Sequence, residues 1–148
     1  MRFVIDTNRI IAALIKDSMN RKVLFDDAFE FFTPQETLNE IHKYKDYIIE
    51  KAKCTDEEFE DLYQKVILKI HVIDIDTFKQ ELDGAEQIMK KIDIKDKWFI
   101  AVGLALHLDG IWTEDKHFAC KSAIITYSTE SLHDIARKNN IYNSKKED

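Results

Sequence analysis

The sequence predicts an α/β domain, a parallel sheet covered by helices on both faces. Three observations lead there. Short β-like runs alternate along the chain with stretches of helical periodicity, the pattern of strand–helix–strand units. The first of these runs, Phe3-Val4-Ile5, is apolar with no polar alternation, as a central strand buried on both sides requires. Only 3 Gly and 1 Pro leave little turn chemistry for an all-β fold. A length of 148 residues suits one domain with a sizeable core, and the chain shows no internal repeat or linker.

Taken in order, the first strand stops abruptly at Asp6-Thr7-Asn8. All three residue types are good N-caps, so the local reading is a cap for a helix starting near Arg9. That helical region runs to about Phe29 and is interrupted at Asp17-Ser18-Met19-Asn20. Residues 29–32 read as a second strand. Thr33-Pro34-Gln35-Glu36 follows as a helix start, with Thr33 as N-cap and Glu36 closing a capping box, and the helix continues to about Lys53. Thr55-Asp56-Glu57-Glu58 repeats the box and opens another helix carrying Phe59, Leu62, Tyr63 and Val66 inward.

Residues 71–75 form an expected third strand, with Asp76 or Thr77 capping a helix through Phe78, Leu82, Ala85, Met89 and Ile92. After a break at Asp93-Ile94-Lys95-Asp96, residues 98–108 are almost entirely apolar, which marks a buried helix. Gly103 within it allows close approach to the sheet. Residues 110–113 and 123–126 are the fourth and fifth strands, and 129–138 the last helix. The domain is expected to span 1–138, with 139–148 a polar C-terminal tail that frays.

Composition narrows the function. With 45% hydrophobic and 34% charged residues the chain is a globular protein, and no apolar run has the length of a membrane span. Met1-Arg2-Phe3 leads straight into a strand, so no leader is expected and a cytoplasmic location follows. Cys54 and Cys120 sit in no Cys-x-x-Cys motif and read as two structural thiols, and the five histidines lack metal-ligand spacing. A net charge of −6 speaks against a general nucleic-acid coat protein. It leaves room for an enzyme whose acids hold metal ions, because such ions reverse the local field.

The acids carry the chemistry. Asp6 ends strand one and Asp115 follows strand four; Asp93 and Asp96 stand at the start of the buried helix; Glu40 lies in the second turn of the helix after strand two. In a parallel sheet, strand C-termini and the N-termini of the following helices share one edge, so these acids converge. Crowded carboxylates repel unless a cation neutralises them, and all-oxygen ligation selects Mg²⁺ or Mn²⁺. Phosphodiester hydrolysis is the natural chemistry of such a site. Each acid also has an ordinary role: Asp93 and Asp96 as caps or partners of a helix dipole, Glu40 as a solvated helix residue.

Four stretches resemble, in order, the motifs of the PIN (PilT N-terminal-like) domain family, nucleases that include the VapC-type toxins. They are Val4-Ile5-Asp6-Thr7-Asn8, Thr37-Leu38-Asn39-Glu40-Ile41, Asp93-Ile94-Lys95-Asp96-Lys97-Trp98-Phe99-Ile100-Ala101 and Ile111-Trp112-Thr113-Glu114-Asp115-Lys116-His117-Phe118. The resemblance spans essentially the whole chain, and the fourth stretch is the most specific. It implies a three-layer α/β/α sandwich with a five-stranded parallel sheet. It also implies a Mg²⁺- or Mn²⁺-dependent ribonuclease whose metal site is Asp6, Glu40, Asp96 and Asp115, supported by Asn8 and Thr113, with Asp93 as an additional acid. Lys95, Lys97 and Lys116 flank the motifs and are weaker candidates for RNA phosphate contacts. A homodimer and a cognate antitoxin partner are further implications. Two rivals stand beside this reading. A phospho-accepting receiver domain would need an acidic pair after strand one and a Lys after strand five, and neither is present. A PIN-like module that binds RNA or protein without cutting would share every motif.

Overall fold

A computed structural model of the chain describes residues 1–88, 94–119 and 124–146. Five parallel strands form one sheet in the order β3-β2-β1-β4-β5. They are β1 (Arg2–Ile5), β2 (Glu30–Pro34), β3 (Ile70–Ile73), β4 (Gly110–Trp112) and β5 (Thr126–Tyr127). Between β1 and β2 lie α1 (Thr7–Ile15) and α2 (Met19–Phe25). Helices α3 (Glu36–Lys43), α4 (Lys45–Ala52) and α5 (Asp56–Leu68) lead to β3. Next come α6 (Ile75–Phe78), α7 (Glu81–Ile88) and α8 (Ile94–Ala105) before β4. A short α9 (Lys116–Ala119) precedes β5, and α10 (Thr129–Lys146) follows it.

The expected apolar strand is the centre of the sheet. Phe3, Val4 and Ile5 are all fully buried, with Phe3 opposite Phe31 of β2 and Val4 opposite Ile111 of β4. Because side chains alternate along a strand, β1 feeds two cores. Phe3 and Ile5 join Ile10, Phe31, Ile41, Phe59, Trp112 and Leu132 on one face. Val4 joins Phe32, Phe78, Phe99, Ile111 and Phe118 on the other. The result is the expected α/β/α sandwich.

Close approach sets two glycines. A Cβ on Gly103 of α8 would come within 2.7 Å of Ile124 Cδ1 and 3.3 Å of Val4 Cγ2, so this helix does lie tight on the sheet as the sequence suggested. At Gly110 an added Cβ would press on the carbonyl oxygen of Ile125 and come within 2.6 Å of Tyr127 Cε2. Backbone cannot swing aside as a flexible side chain can. Gly110→Ala is therefore expected to lower stability by about 1–3 kcal/mol through overpacking of β4 against β5. The urea midpoint is the check, and an unchanged midpoint would mean that β5 yields freely.

Several boundaries differ from expectation. The capping box at Thr55 forms, with Glu58 N donating to Thr55 Oγ1 and Thr55 N to Glu58 Oε1, both at 3.1 Å. The one at Thr33 does not. Thr33 and Pro34 extend β2, paired with Val72 and Ile73, and Gln35 takes the N-cap position without a side-chain bond. The β1–β2 ladder ends at Val4 and Phe32, so the missing N–H of Pro34 lies past it and costs no bond there. The single helix expected up to Lys53 breaks at Tyr44 into α3 and α4. Asp74, rather than Asp76 or Thr77, caps α6, its Oδ1 accepting from Asp76 N at 2.9 Å. The buried helix begins four residues earlier than expected, at Ile94. The last helix, expected to end at 138, runs on as α10 to Lys146, whose ammonium lies 4.5 Å from the ring of Tyr142 one turn back. Ala123, expected to start strand five, lies outside the described residues.

A candidate acidic active site at the sheet's switch point

Strands are added leftward from β1 to β3, and the chain then crosses to the other side of β1 for β4 and β5. Crossovers on the two sides cover opposite faces, leaving a crevice beyond the C-terminal ends of β1 and β4. Asp6 follows β1 there, and Thr113-Glu114-Asp115 follows β4. A cleft of about 320 Å³ is lined by Asp6, Thr7, Asn8, Glu40, Tyr44, Asp96, Phe99, Asp115 and Phe118. The four acids of the sequence motifs thus meet, each delivered by a different element.

Asp6 is the most constrained of them. The expected cap and the expected site residue turn out to be one and the same. Its Oδ1 accepts from Arg9 N at 2.9 Å as N-cap of α1. Its Oδ2 accepts a short hydrogen bond from the buried hydroxyl of Thr113. Thr113 Oγ1 in turn accepts from Asp115 N at 3.0 Å, so one hydroxyl ties the ends of β1 and β4 together. Burial pushes the Asp6 carboxyl above its ordinary pKa. The Thr113 hydroxyl, the Arg9 amide and the Arg9 guanidinium pull it back, and the charge of nearby Asp115 pushes it up again. Glu40, on α3, accepts from Thr7 Oγ1 at 3.3 Å, which aligns it with the start of α1.

Asn8 is exposed at the rim of the cleft. Lys97 is half-buried and Lys116 exposed, and neither lines the cleft among the described residues. Asp93 and the side chain of Lys95 lie outside the described residues.

The motifs missed a supporting network. Arg9 stands with Nε 4.0 Å from Asp6 Oδ1 and donates from Nη1 to Asn20 Oδ1 at 3.0 Å. The same Asn20 oxygen accepts from Thr129 Oγ1 at 2.9 Å, and Thr129 Oγ1 accepts from the indole N–H of Trp112 at 3.0 Å. Glu114, an exposed residue, accepts from Thr129 N at 2.7 Å and so secures the start of α10. In the sequence Arg9 reads only as the start of a helix; its place three residues after Asp6 on a helix opening there is the one spacing signal that could have found a member of this network. Tyr44 and Phe118 on the cleft wall also went unread.

A doubly wound parallel sheet with carboxylates gathered at its switch point defines the class: an α/β/α protein with an acidic cleft at the C-terminal edge. Within that class the chain belongs to the PIN domain family, whose profile matches residues 4–137. No curated protein matches its sequence. Its fold is similar to that in VapBC2 from Rickettsia felis, solved bound to a DNA fragment from their promoter. The TM-score is 0.66 at 15% identity, covering 86% of this chain and 98% of that one. It is also similar to a chain of a toxin–antitoxin complex from Klebsiella pneumoniae, with a TM-score of 0.63 and 17% identity over 85% of this chain and 98% of the other. Among the described residues no helix is long and apolar enough to cross a membrane.

Proposed function

We propose that the chain is a Mg²⁺- or Mn²⁺-dependent ribonuclease, acting as the toxin of a toxin–antitoxin pair. The observation that carries this reading is the cleft itself. Asp6, Glu40, Asp96 and Asp115 line one cavity, with Asp6 buried and repelled by Asp115. Four carboxylates on one cleft suit a hard divalent cation, which would relieve that repulsion. Among the described residues no three acids stand close enough to form a metal cluster by themselves. The donor chemistry fits.

Asp6, Asp96 and Asp115 would hold the ion, and Glu40 would either join them or orient the attacking water. The ion would supply positive charge beside the phosphoryl oxygens and acidify the water. Thr113 and the Arg9 amide fix both oxygens of Asp6 before substrate arrives, so little reorganisation is left for the reaction. Asn8 offers an amide donor at the rim. Water's oxygen bonds to phosphorus as it gives up a proton, while a phosphorus–ester oxygen bond breaks and the departing oxygen takes up a proton, leaving two shorter strands. RNA as substrate rests on the motif resemblance. An antitoxin partner is supported by the complexes that share the fold, and a homodimer in the cytoplasm completes the reading.

Purified protein incubated with a mixed RNA pool is expected to cut it in Mg²⁺ or Mn²⁺ and not in EDTA. Asp115→Asn is expected to lose the metal-dependent cleavage. Cleavage that persists in EDTA, or equally in the variant, would place the activity elsewhere. Metal binding seen by calorimetry with no RNA cut would favour the binding module instead.

A further inference from the structure

A second cavity opens on the far side of Glu40. It measures about 240 Å³ and is lined by Pro34, Glu36, Thr37, Asn39, Glu40, Lys43, Trp98 and Phe99. Glu40 and Phe99 also line the acidic cleft, so the two cavities adjoin and share a wall. Both are built by the same pair of elements. Helix α3 turns Glu40 toward the acids while Glu36, Asn39 and Lys43 border the groove; α8 supplies Asp96 to one cavity and Trp98 to the other. The inner wall is aromatic and apolar, and the rim is polar. Lys43 is exposed and makes no ion pair among the described residues, whereas Glu36 accepts from Asn39 Nδ2 at 3.3 Å. The volume falls below the about 300–1,000 Å³ of drug-sized sites and suits a single planar ring system.

We propose that this groove seats one base of a single-stranded RNA, next to the phosphate held in the acidic cleft. Trp98 is the stacking surface and Lys43 contacts a flanking phosphate. The proposal rests on the nuclease reading for what occupies the neighbouring cleft. A base explains three features together: an aromatic wall for its ring face, a polar rim for its edge, and a cation one helical turn from Glu40 for the backbone. An amphipathic helix of a protein partner would need several apolar pockets in a row, and this groove offers one.

Tryptophan fluorescence provides a direct reading, because Trp112 is fully buried and Trp98 is half-buried on the groove. Decamers of A, U or C, and an abasic decamer of equal length, would be titrated into Asp6→Asn protein in Mg²⁺. The base-bearing decamers are expected to quench Trp98 and to bind about tenfold more tightly than the abasic strand. Trp98→Leu, in an otherwise active chain, is expected to raise KM about tenfold with kcat little changed. Lys43→Ala, on an exposed position that leaves folding intact, is expected to reduce the slope of log affinity against log salt by about 0.7. Equal binding of the abasic strand, an unchanged KM in folded Trp98→Leu protein, or an unchanged salt slope would each overturn the base seat while leaving the nuclease standing. Quenching by base-bearing decamers from a wild-type protein that cuts no RNA in either metal would do the reverse.

Discussion

Asp6→Asn is expected to reduce metal-dependent RNA cleavage by about 10²–10³-fold while the fold stays intact. The substitution keeps shape and leaves an oxygen to accept from Arg9 N, so the cap of α1 survives. It removes the negative charge from the most buried acid of the cleft. Initial rates in Mn²⁺ and Mg²⁺, beside a circular dichroism spectrum, are the check. Loss of activity together with loss of fold would show that Asp6 matters to structure first, and full activity would remove it from the site.

The same substitution has a signature in stability. The raised pKa means that folded Asp6 keeps its proton to higher pH than the unfolded chain does. Between the ordinary carboxylate pKa and the raised one, the folded state binds more protons. Its contribution to stability is therefore present at low pH and is lost as pH rises through the raised value. An asparagine does not titrate. In metal-free buffer, the wild-type melting temperature is expected to fall relative to that of the Asp6→Asn protein as pH rises through this window. Added Mn²⁺ is expected to reverse the trend for the wild type alone. A wild type that gains on the variant with rising pH would contradict the burial argument.

Trp112→Ala is expected to have the largest effect on stability, about 3–5 kcal/mol. Trp112 is fully buried, its ring centroid lies 5.0 Å from that of Phe31, and its N–H is satisfied by Thr129. Truncation loses the transfer energy of the indole, opens a cavity beneath β4 and takes a donor away from Thr129. Typical domains have about 5–15 kcal/mol of stability in all, so this loss leaves a small reserve. Trp112→Phe keeps an aromatic ring against Phe31 and is expected to cost distinctly less. Urea denaturation of the two variants separates packing from the hydrogen bond. Equal losses would assign the effect to the bond with Thr129 rather than to the ring.

What was legible in advance has a common character. The apolar run at Phe3-Val4-Ile5, the capping box at Thr55, the break near Asp17 and the apolar helix around Gly103 are all local patterns, written within a few consecutive residues. Spacing on each element also placed Asp6, Glu40, Asp96 and Asp115 at one edge of the sheet, once a parallel sheet was assumed. The structure brings these four to one cleft. The matching family profile covers residues 4–137, a span that contains all four motif-like stretches.

Where local pattern and tertiary pairing compete, pairing prevails. Thr33 carries a good cap signal, yet β2 continues through it because Val72 and Ile73 pair beside it and its buried hydroxyl lies 3.2 Å from Ile5 O and 2.9 Å from Thr37 Oγ1. No window of sequence around Thr33 contains β3. The link from Asp6 through Arg9, Asn20 and Thr129 to Trp112 joins residues more than a hundred positions apart. By itself, then, the sequence determined the class of fold, its central strand and the acids at its edge, because periodicity and chain order are local properties. Only the tertiary structure decided which oxygen of Asp6 meets Thr113, which residues support it, and that an apolar groove adjoins the acids. Those depend on elements distant in sequence arriving at one place, and their geometry is set by packing across the whole sheet.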